Sequence, residues 1–244
     1  MQKLLSRRET LVSMSKGAAV ISAWVFLGAR HAAGGSNLPS SKEVKMKLPQ
    51  PRTKGQDTLE EFIKRRRTIR SFLSTSMTQD QLSQLFWAAQ GITEEKGYKR
   101  AVPSGGALYP IDAYAVVGAG GVEGVQPAIY RYEPDDHSIS LVVEGDLRQP
   151  LAKASLGQMW MAKAPVSMVI TAEYRRITSK YGERGVRYAM IEAGHVAQNI
   201  FLQAEALGMG AGIVGAFHDN EVIQVMRIPL SHEPLIVMPV GHKN

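Results

Sequence analysis

The chain of 244 residues contains no cysteine, and this absence excludes several kinds of functional site. Disulfide bonds, thiolate catalysis and cysteine-ligated metal centres all require a residue that the chain lacks. The six histidines are scattered and show neither an HExxH pattern nor a paired spacing, so the sequence predicts no dedicated metal site. A chain without cysteine also suits an oxidising compartment.

A strong excess of one charge is absent as well. The formal net charge is +7, and more than half of it falls in residues 1–34, where Glu9 is opposed by Lys3, Arg7, Arg8, Lys16 and Arg30. The remaining excess is too mild to indicate nucleic-acid binding. With 44% hydrophobic residues, the rest of the chain can form one globular domain with a substantial core.

Residues 1–34 contain an apolar run, Gly17 to Ala29, that is too short to cross a bilayer core of about 30 Å. A basic start, this short run and small residues near Ala33 are typical of a bacterial export signal. We therefore predict a periplasmic protein with no membrane span after signal removal. The segment SRRETLV at residues 6–12 is similar to the twin-arginine signature, which directs export of folded proteins; an ordinary secretory signal is the alternative.

Residues 35–56 are rich in Ser, Pro, Lys and Gly and lack apolar periodicity, so we predict a linker followed by a domain over residues 57–244. A helix is expected to start near Asp57, with Glu61 paired to Arg65 one turn later. Thr78 and Gln81 form a capping box for a second helix. Its buried stripe is Leu82, Leu85, Phe86 and Ala89, and it stops at Gly91. The strands are predicted at Asp112–Val117, Ala128–Tyr132, Ile139–Val143, Val166–Ala172 and Leu235–Val240.

Two short motifs could bind a ligand. In RRRTIRSF, Arg66, Arg67 and Arg70 have no local acidic partner and could clamp a phosphate together with the hydroxyls of Thr68 and Ser71. The same arginines could instead form a solvated basic helix end. In PSGGALYP, residues 103–110, the Ser-Gly-Gly turn offers free backbone N–H groups and a hydroxyl, although a plain turn is the alternative.

A long helix from Arg187 to Leu207 carries apolar residues on several sides, which indicates burial on more than one side. Small residues recur on one face at Ala189, Ala193 and Ala197, with Gly194 alongside, so another helix could approach closely. The glycines at 210, 212 and 215 suit a backbone that comes close to something, such as a flat ligand. The alternative is a central core helix with a glycine C-cap.

In this order, RRRTIRSF, PSGGALYP and the long helix running into GIVGAF resemble the nitroreductase family of FMN-dependent oxidoreductases. The segments PSGGALYP, KYGERGVRY and EAGHVAQN are similar to PSxGxLYP, KYGxRGxRY and ExGHxAQN of the SagB-type dehydrogenase branch. The similarity covers Asp57 to Gly241. It implies an α+β fold in which helices flank a mainly antiparallel central sheet, and an intertwined homodimer with FMN at the interface. The small face of the long helix would then pack against the partner's helix.

The resemblance also implies a cofactor site. Arg66, Thr68 and Arg70 match positions that hold the FMN phosphate and ribityl chain, with Arg67 as a neighbour. The matching loop that contacts the ribityl chain and ring contains Pro103, Ser104, Gly105, Gly106 and Leu108. The matching segment whose backbone amides face the flavin ring contains Val214, Gly215 and Ala216, of which Gly215 and Ala216 lie opposite flavin N5 and O4.

The sequence departs from the family pattern at two places. Classical nitroreductases often have an asparagine where Ala107 stands, so one polar contact to the flavin is lost or replaced. Many also extend past the final strand and add a basic residue to the phosphate site. That contact is missing here unless Lys243 supplies it.

Lys180-Tyr181 resembles the pair that SagB-type azoline dehydrogenases place near their substrate. The lysine could take a proton while hydride passes to flavin N5; the alternative is a surface lysine beside a packed tyrosine. Glu192 and His195, one helical turn apart, are expected to bond each other or nearby backbone in a structural role.

The sequence therefore predicts an exported FMN-dependent oxidoreductase that transfers two electrons, with an unknown substrate and unknown electron donor and acceptor. The periplasm has no nicotinamide pool, so a reduced carrier, a membrane partner or a directly oxidised substrate is the expected donor. Two alternatives stay open. One is azoline oxidation during peptide maturation, and the other is a protein that binds flavin or another ligand without turnover.

Overall fold

The computed structural model describes residues 44–55, 57–94 and 99–244, and these residues form an antiparallel sheet flanked by helices. The predicted export signal, residues 1–34, lies outside them. Within the described residues the sheet has seven strands, each paired antiparallel to its neighbours in the order β1-β4-β3-β2-β5-β7-β6. The strands are β1 Lys45–Lys47, β2 Ile111–Val117, β3 Ala128–Glu133, β4 Ser138–Glu144, β5 Val166–Ala172, β6 Met209–Ala211 and β7 Glu233–His242. The helices are α1 Leu59–Arg65, α2 Gln79–Gln90, α3 Arg148–Ala154, α4 Arg175–Tyr181, α5 Arg184–Ala206 and α6 Asp219–Met226.

The sheet is covered by helices on both faces, and its central strands are therefore buried on both sides. Every residue of β2 and β5 is buried. Ala113 and Ala115 of β2 pack in one core with α2 and α5, whereas Tyr114 and Val116 pack in a second core with α3 and α6. Successive strand residues point to opposite faces, so one strand serves both layers. The α+β class predicted from the sequence is confirmed.

The five predicted strands are all present, with ends within two residues of the predicted ones. The second predicted helix is α2, where Thr78 and Gln81 form the predicted capping box. Its predicted buried stripe is confirmed, and Gly91 ends the helix. The structure adds β1 and β6, each of three residues, because so short a strand shows no alternation in sequence.

The folded domain begins earlier than residue 57. β1 pairs with the outer side of β4, with Lys45 opposite Ser140. Beyond it, the Leu48 amide donates to the His137 carbonyl at 3.1 Å, and the Arg52 amide donates to Gln84 Oε1 at 2.8 Å. This segment covers the open edge of β4, which explains why a polar stretch without periodicity is ordered. The linker prediction for residues 35–56 is therefore wrong from Lys45 to Arg52.

Candidate active site

The small face of α5 is buried inside the folded chain itself. Ala189, Ala193 and Ala197 are at most 4% exposed and pack in the core with α2 and the sheet. The prediction that this face meets a partner's helix is wrong, because the space beside the alanines is already filled. The outward face of α5 is different: Met190 is 52% exposed, Ile191 is 48% exposed, and a Cβ added at Gly194 would meet open space.

The loop of residues 103–108 forms a short 3-10 turn at Gly105–Ala107. Gly106 has a φ of +64°, which favours glycine, and Ala107 and Tyr109 also have positive φ values of 56° and 45°. A bond within the loop closes it, since the Tyr109 amide donates to Ser104 Oγ at 2.9 Å. Ser104 and Gly105 are half-buried, whereas Pro103 and Gly106 are exposed.

Glu192 of α5 contacts this loop. Its Oε1 accepts hydrogen bonds from the Gly105 amide at 2.9 Å and from Ser104 Oγ at 3.1 Å. Glu192 is only 4% exposed. Burial raises the pKa of its carboxyl group, and the hydrogen bonds from Gly105 and Ser104 oppose part of that rise. The expected bond of Glu192 to backbone is confirmed, but its partner belongs to the candidate cofactor loop, and His195 is exposed.

Lys180 and Tyr181, at the end of α4, lie on the other side of the loop. A Cβ added at Gly106 would stand 2.9 Å from Tyr181 Oη and 3.0 Å from Lys180 Nζ. The Tyr181 ring packs edge-on against Tyr188 of α5, with ring centroids 5.3 Å apart. Lys180 is exposed and Tyr181 is half-buried. The structure therefore brings the predicted Lys-Tyr pair together with the predicted cofactor loop.

The basic segment after α1 lies at the opposite end of α5. The Arg66 guanidinium lies 5.1 Å from the ring centroid of Phe201, and that of Arg70 lies 5.9 Å from the ring of Trp160. Arg67 Nη1 donates to the carbonyls of Lys64 and Arg66, each at 2.8 Å. Among the residues that the structure describes, no carboxylate lies within 4 Å of these three guanidiniums.

Two neighbouring cations are engaged elsewhere. Arg65 pairs with Asp57 at 2.8 Å rather than with Glu61, so that predicted pair is wrong. The bond to Asp57 bridges the start of α1 to its end. Lys243 pairs with Glu205 of α5 at 2.9 Å. Lys243 is therefore held by a carboxylate, and the structure does not present it as an additional free cation.

The segment of residues 66–70 packs against β6 and the glycines beside it. The Ile69 amide donates to the Ala211 carbonyl at 2.8 Å. A Cβ at Gly210 would come within 2.6 Å of the Ile69 side chain, and one at Gly212 within 2.7 Å of the Trp160 ring. These two glycines thus permit close packing of the chain on itself rather than of a flat ligand.

Gly215 differs from the other two glycines. A Cβ there would meet nothing within 4 Å, and both Gly215 and Ala216 are exposed. The segment is anchored on both sides of this opening. Val214 is buried and exchanges two backbone hydrogen bonds with Val237 of β7, at 2.8 and 2.9 Å, and the Ala216 carbonyl accepts a bond from Gln158 Nε2 at 3.2 Å.

Trp160 and Gln158 also lie near the candidate site, and the sequence did not predict them. They lie in and before an irregular 3-10 segment, Met159–Lys163. The Trp160 ring lies next to the Arg70 guanidinium and packs against Gly212. Gln158 donates a hydrogen bond to the Ala216 carbonyl. A single tryptophan in an irregular stretch carries no periodic signal, so only the folded chain reveals that it joins the arginines to the glycine-rich segment.

The predicted site residues therefore gather in two groups. The loop group contains residues 103–108 with Lys180 and Tyr181, and the arginine group contains residues 66–70 with Val214, Gly215 and Ala216. Glu192 of α5 touches the first group, and Phe201 touches the second. The two contacting residues are nine positions apart on the helix, which corresponds to about 14 Å along its axis.

Comparison with known proteins gives the class of the chain. Residues 63–242 match the family described as "Nitroreductase family". The chain belongs to the nitroreductase family. It is 44% identical over 185 residues, or 76% of its length, to a protein of Methanocaldococcus jannaschii assigned by name to the nitroreductases, and covers 91% of that protein.

Other relatives are less similar to the chain. The chain is 28% identical to the microcin B17-processing protein of Escherichia coli, over 60% of this chain and 55% of that protein. It is 25% identical to an FMN reductase [NAD(P)H] of Bacillus subtilis, over 50% of this chain and 54% of that protein. A nitroreductase crystal structure from Ralstonia eutropha aligns with a TM-score of 0.70 and 26% identity, covering 82% of this chain and 90% of the other. These matches confirm the nitroreductase fold.

Proposed function

We propose that this family member is an FMN-dependent oxidoreductase of the SagB-type dehydrogenase branch. The observation that carries the proposal is the set of three guanidiniums, those of Arg66, Arg67 and Arg70, with no carboxylate partner among the described residues. Uncompensated arginines clustered on one segment suit a dianionic phosphate, which accepts their paired N–H groups. The same segment packs beside the strand that leads to Gly215.

The residues present fit FMN at both ends of the cofactor. Arg66, Thr68 and Arg70, with Arg67 beside them, would hold the phosphate. The open, exposed backbone at Gly215 and Ala216 leaves room for the ring, because no side chain occupies the space next to Gly215. The loop from Pro103 to Leu108 would contact the ribityl chain and the ring.

We also propose that the site is completed by a second copy of the chain. The two groups of site residues contact α5 about 14 Å apart along its axis, and the family resemblance implies FMN at a dimer interface, where one group would come from each protomer. The outward face of α5, with the exposed side chains of Met190 and Ile191 and open space at Gly194, provides an apolar surface for an isologous contact. This face replaces the small alanine face that the sequence suggested.

FMN supplies two-electron chemistry, in which a hydride is accepted or donated at N5 of its ring. The chain's own residues would then orient the substrate and manage the proton. Lys180 Nζ lies next to Gly106 of the cofactor loop and can accept a proton when unprotonated, with Tyr181 Oη as a neighbouring donor. The segment that carries the Gly215 and Ala216 amides is anchored through Val214 and Gln158, and these amides would donate hydrogen bonds to the ring.

Export through the signal in residues 1–34 is part of the proposal. Within the described residues, no helix combines the length and apolarity that a membrane crossing requires. In the periplasm the electron donor would be a reduced carrier, a membrane partner or the substrate itself. If the protein were found in the cytoplasm, NADH or NADPH would be the expected electron donor.

A second candidate function is oxidation of azoline rings during peptide maturation. It is favoured by the similarity to the microcin B17-processing protein and by the position of Lys180 and Tyr181 beside the loop. Export weakens it, because peptide-modifying enzymes work where the precursor is made. A protein that binds flavin without turnover is the third candidate.

One anaerobic screen separates these candidates. FMN-loaded protein is mixed in separate samples with NADH, NADPH, a quinol or an azoline peptide, and the absorbance of the flavin is followed. At least one of the reductants is expected to bleach the flavin, and oxygen or a quinone is expected to restore its absorbance. Bleaching by the azoline peptide alone would select the second candidate, and no response to any compound would select a binding protein.

A further inference from the structure

Glu192 is a buried carboxylate whose hydrogen bonds end on the candidate cofactor loop. It is 4% exposed, and no cation lies within 4 Å of it among the described residues. Taking an unpaired carboxylate out of water costs free energy that ordinary core packing would avoid. Both bonds to its Oε1 come from the loop, from the Gly105 amide at 2.9 Å and the Ser104 hydroxyl at 3.1 Å.

The Ser104 hydroxyl links this carboxylate to the other end of the loop. Ser104 Oγ donates to Glu192 and accepts from the amide of Tyr109 at 2.9 Å, five residues further along the chain. Between these ends, Gly106 and Ala107 have positive φ values of 64° and 56°. A non-glycine residue such as Ala107 rarely adopts this conformation, so the loop needs fixed contacts to hold it.

Side chains also pack closely around Gly105 and Gly106 of the loop. Under Gly105, a Cβ would meet Ile177 Cδ1 at 3.4 Å and Tyr188 Cδ2 at 3.7 Å, next to Glu192 Oε1 at 3.7 Å. Above Gly106 are Lys180 and Tyr181, at the distances already given. A shift of the Ser104–Gly105 turn would therefore move Gly106 against the Lys-Tyr pair or away from it.

We propose that Glu192 is a positioning residue that holds the Ser104–Gly105 turn in the conformation that receives the flavin and faces Lys180. This inference rests on the proposed function, because the loop's ligand is taken to be FMN. Glu192 acts through an oxygen that accepts two hydrogen bonds. A glutamine has the same acceptor oxygen without the charge, so it should still hold the turn. An alanine has no acceptor and should not.

The test uses the full chain as wild type, E192Q, E192A and S104A, with E144Q as a matched control. Glu144 is an exposed carboxylate at the end of β4, outside both groups of site residues. Two quantities are measured. One is the Kd for FMN, from quenching of FMN fluorescence, and the other is amide hydrogen exchange of the peptide spanning residues 102–110 in the protein without FMN.

In E192A, the Kd for FMN is expected to rise about tenfold to a hundredfold, and the Gly105 amide to exchange faster, because two hydrogen bonds to a charged acceptor are lost. E192Q and E144Q are expected to stay within about threefold of wild type in Kd and to keep the exchange protection. S104A removes one of the two bonds to Glu192 and also the bond from the Tyr109 amide, so it is expected to weaken FMN binding and to speed amide exchange relative to wild type. If E192A fails to fold, S104A and E192Q carry the comparison.

Wild-type exchange and wild-type Kd in E192A would overturn the inference, as would an E192Q protein as weak as E192A. A loss of thermal stability in E192A with an unchanged Kd would also overturn it, because that pattern marks a purely structural residue. If the wild type itself does not bind FMN, the proposed function fails, while the exchange measurement still decides whether Glu192 holds the loop.

Discussion

The guanidinium of Arg176 binds the carboxylate of Asp112 through two parallel hydrogen bonds of 2.9 Å each. Arg176 also donates to Glu173 Oε2 at 2.8 Å and to the Tyr109 carbonyl at 3.2 Å. It therefore ties α4 to β2 and to the end of the cofactor loop. Lys180 follows Arg176 by four residues and lies on the same side of α4, so this ion pair fixes the helix that carries the Lys-Tyr pair.

Replacing Arg176 by lysine is expected to lower the free energy of unfolding by about 1–2 kcal/mol, because lysine keeps the charge but cannot make two parallel bonds to Asp112. Urea unfolding measures the change. Arg175→Lys is the matched control, since Arg175 is an exposed neighbour on the same helix. Equal stability of the two variants would show that the paired geometry contributes nothing.

Replacing Arg66 and Arg70 together by alanine is expected to weaken FMN binding by about a hundredfold or more, because two charge-assisted contacts to phosphate are lost. The control replaces Arg175 and Lys153, which are exposed on α4 and α3, by alanine. Fluorescence titration with FMN compares the two proteins. Full retention of FMN by the Arg66/Arg70 variant would refute the phosphate assignment.

Gly106→Ala is expected to lower turnover more than it lowers stability. The new Cβ would stand within 3.0 Å of both Tyr181 Oη and Lys180 Nζ, so the pair must move. Gly120→Ala is a matched control: Gly120 has a φ of +63°, close to the +64° of Gly106, but open space around it. Both variants should lose about 1 kcal/mol of stability from the backbone conformation, and only Gly106→Ala should also lose activity. Equal activities would remove Lys180 and Tyr181 from the mechanism.

The pH dependence of stability should differ between wild type and Glu192→Gln. Burial raises the pKa of Glu192 in the folded protein, so the folded protein binds this proton more tightly than the unfolded chain does. The ionised carboxylate therefore destabilises the fold at neutral pH, and this cost disappears as pH falls through the raised pKa toward the unfolded value of about 4.3. The stability of Glu192→Gln relative to wild type should be highest near neutral pH and fall on acidification. Thermal unfolding of the protein without FMN measures it; a difference that grows on acidification would contradict the direction of the shift.

The outward face of α5 is expected to form the dimer. Replacing Met190 and Ile191 by lysine places two charges on a surface that the proposal buries, so the protein should become monomeric and bind FMN more weakly. Leu230→Lys is the control, because Leu230 is 90% exposed and lies in the turn between α6 and β7. Analytical ultracentrifugation reports the mass. A wild type that is already monomeric and binds FMN would disprove the shared site.

Local sequence predicted those parts of the fold that depend on neighbouring residues. The capping box of Thr78 and Gln81 defines the start of α2, and alternation or continuous apolar runs define five strands. The small face of α5 shows the limit of such reasoning. Small side chains predict a close neighbour, but they do not say whether that neighbour is the same chain or a second one, and here it is the same chain.

The candidate site also has parts that local sequence predicted and parts that only the packing of distant segments decides. Motifs predicted the arginines, the Ser-Gly-Gly loop and the Lys-Tyr pair, and the structure joins the last two. The role of Glu192 could not be predicted, because its hydrogen-bond partner Gly105 lies 87 residues away. Gly210 and Gly212 were expected to face a ligand, and they face Ile69 and Trp160 instead, which only the packing of distant segments decides.

The central claim is that the chain binds FMN and uses it for two-electron transfer. An anaerobic dithionite titration of the purified, FMN-loaded protein tests it most directly. The protein is expected to be yellow with one FMN per chain, and its flavin band to be bleached by two electrons per FMN and to recover when oxygen is admitted. A colourless protein that cannot be loaded with FMN would contradict it.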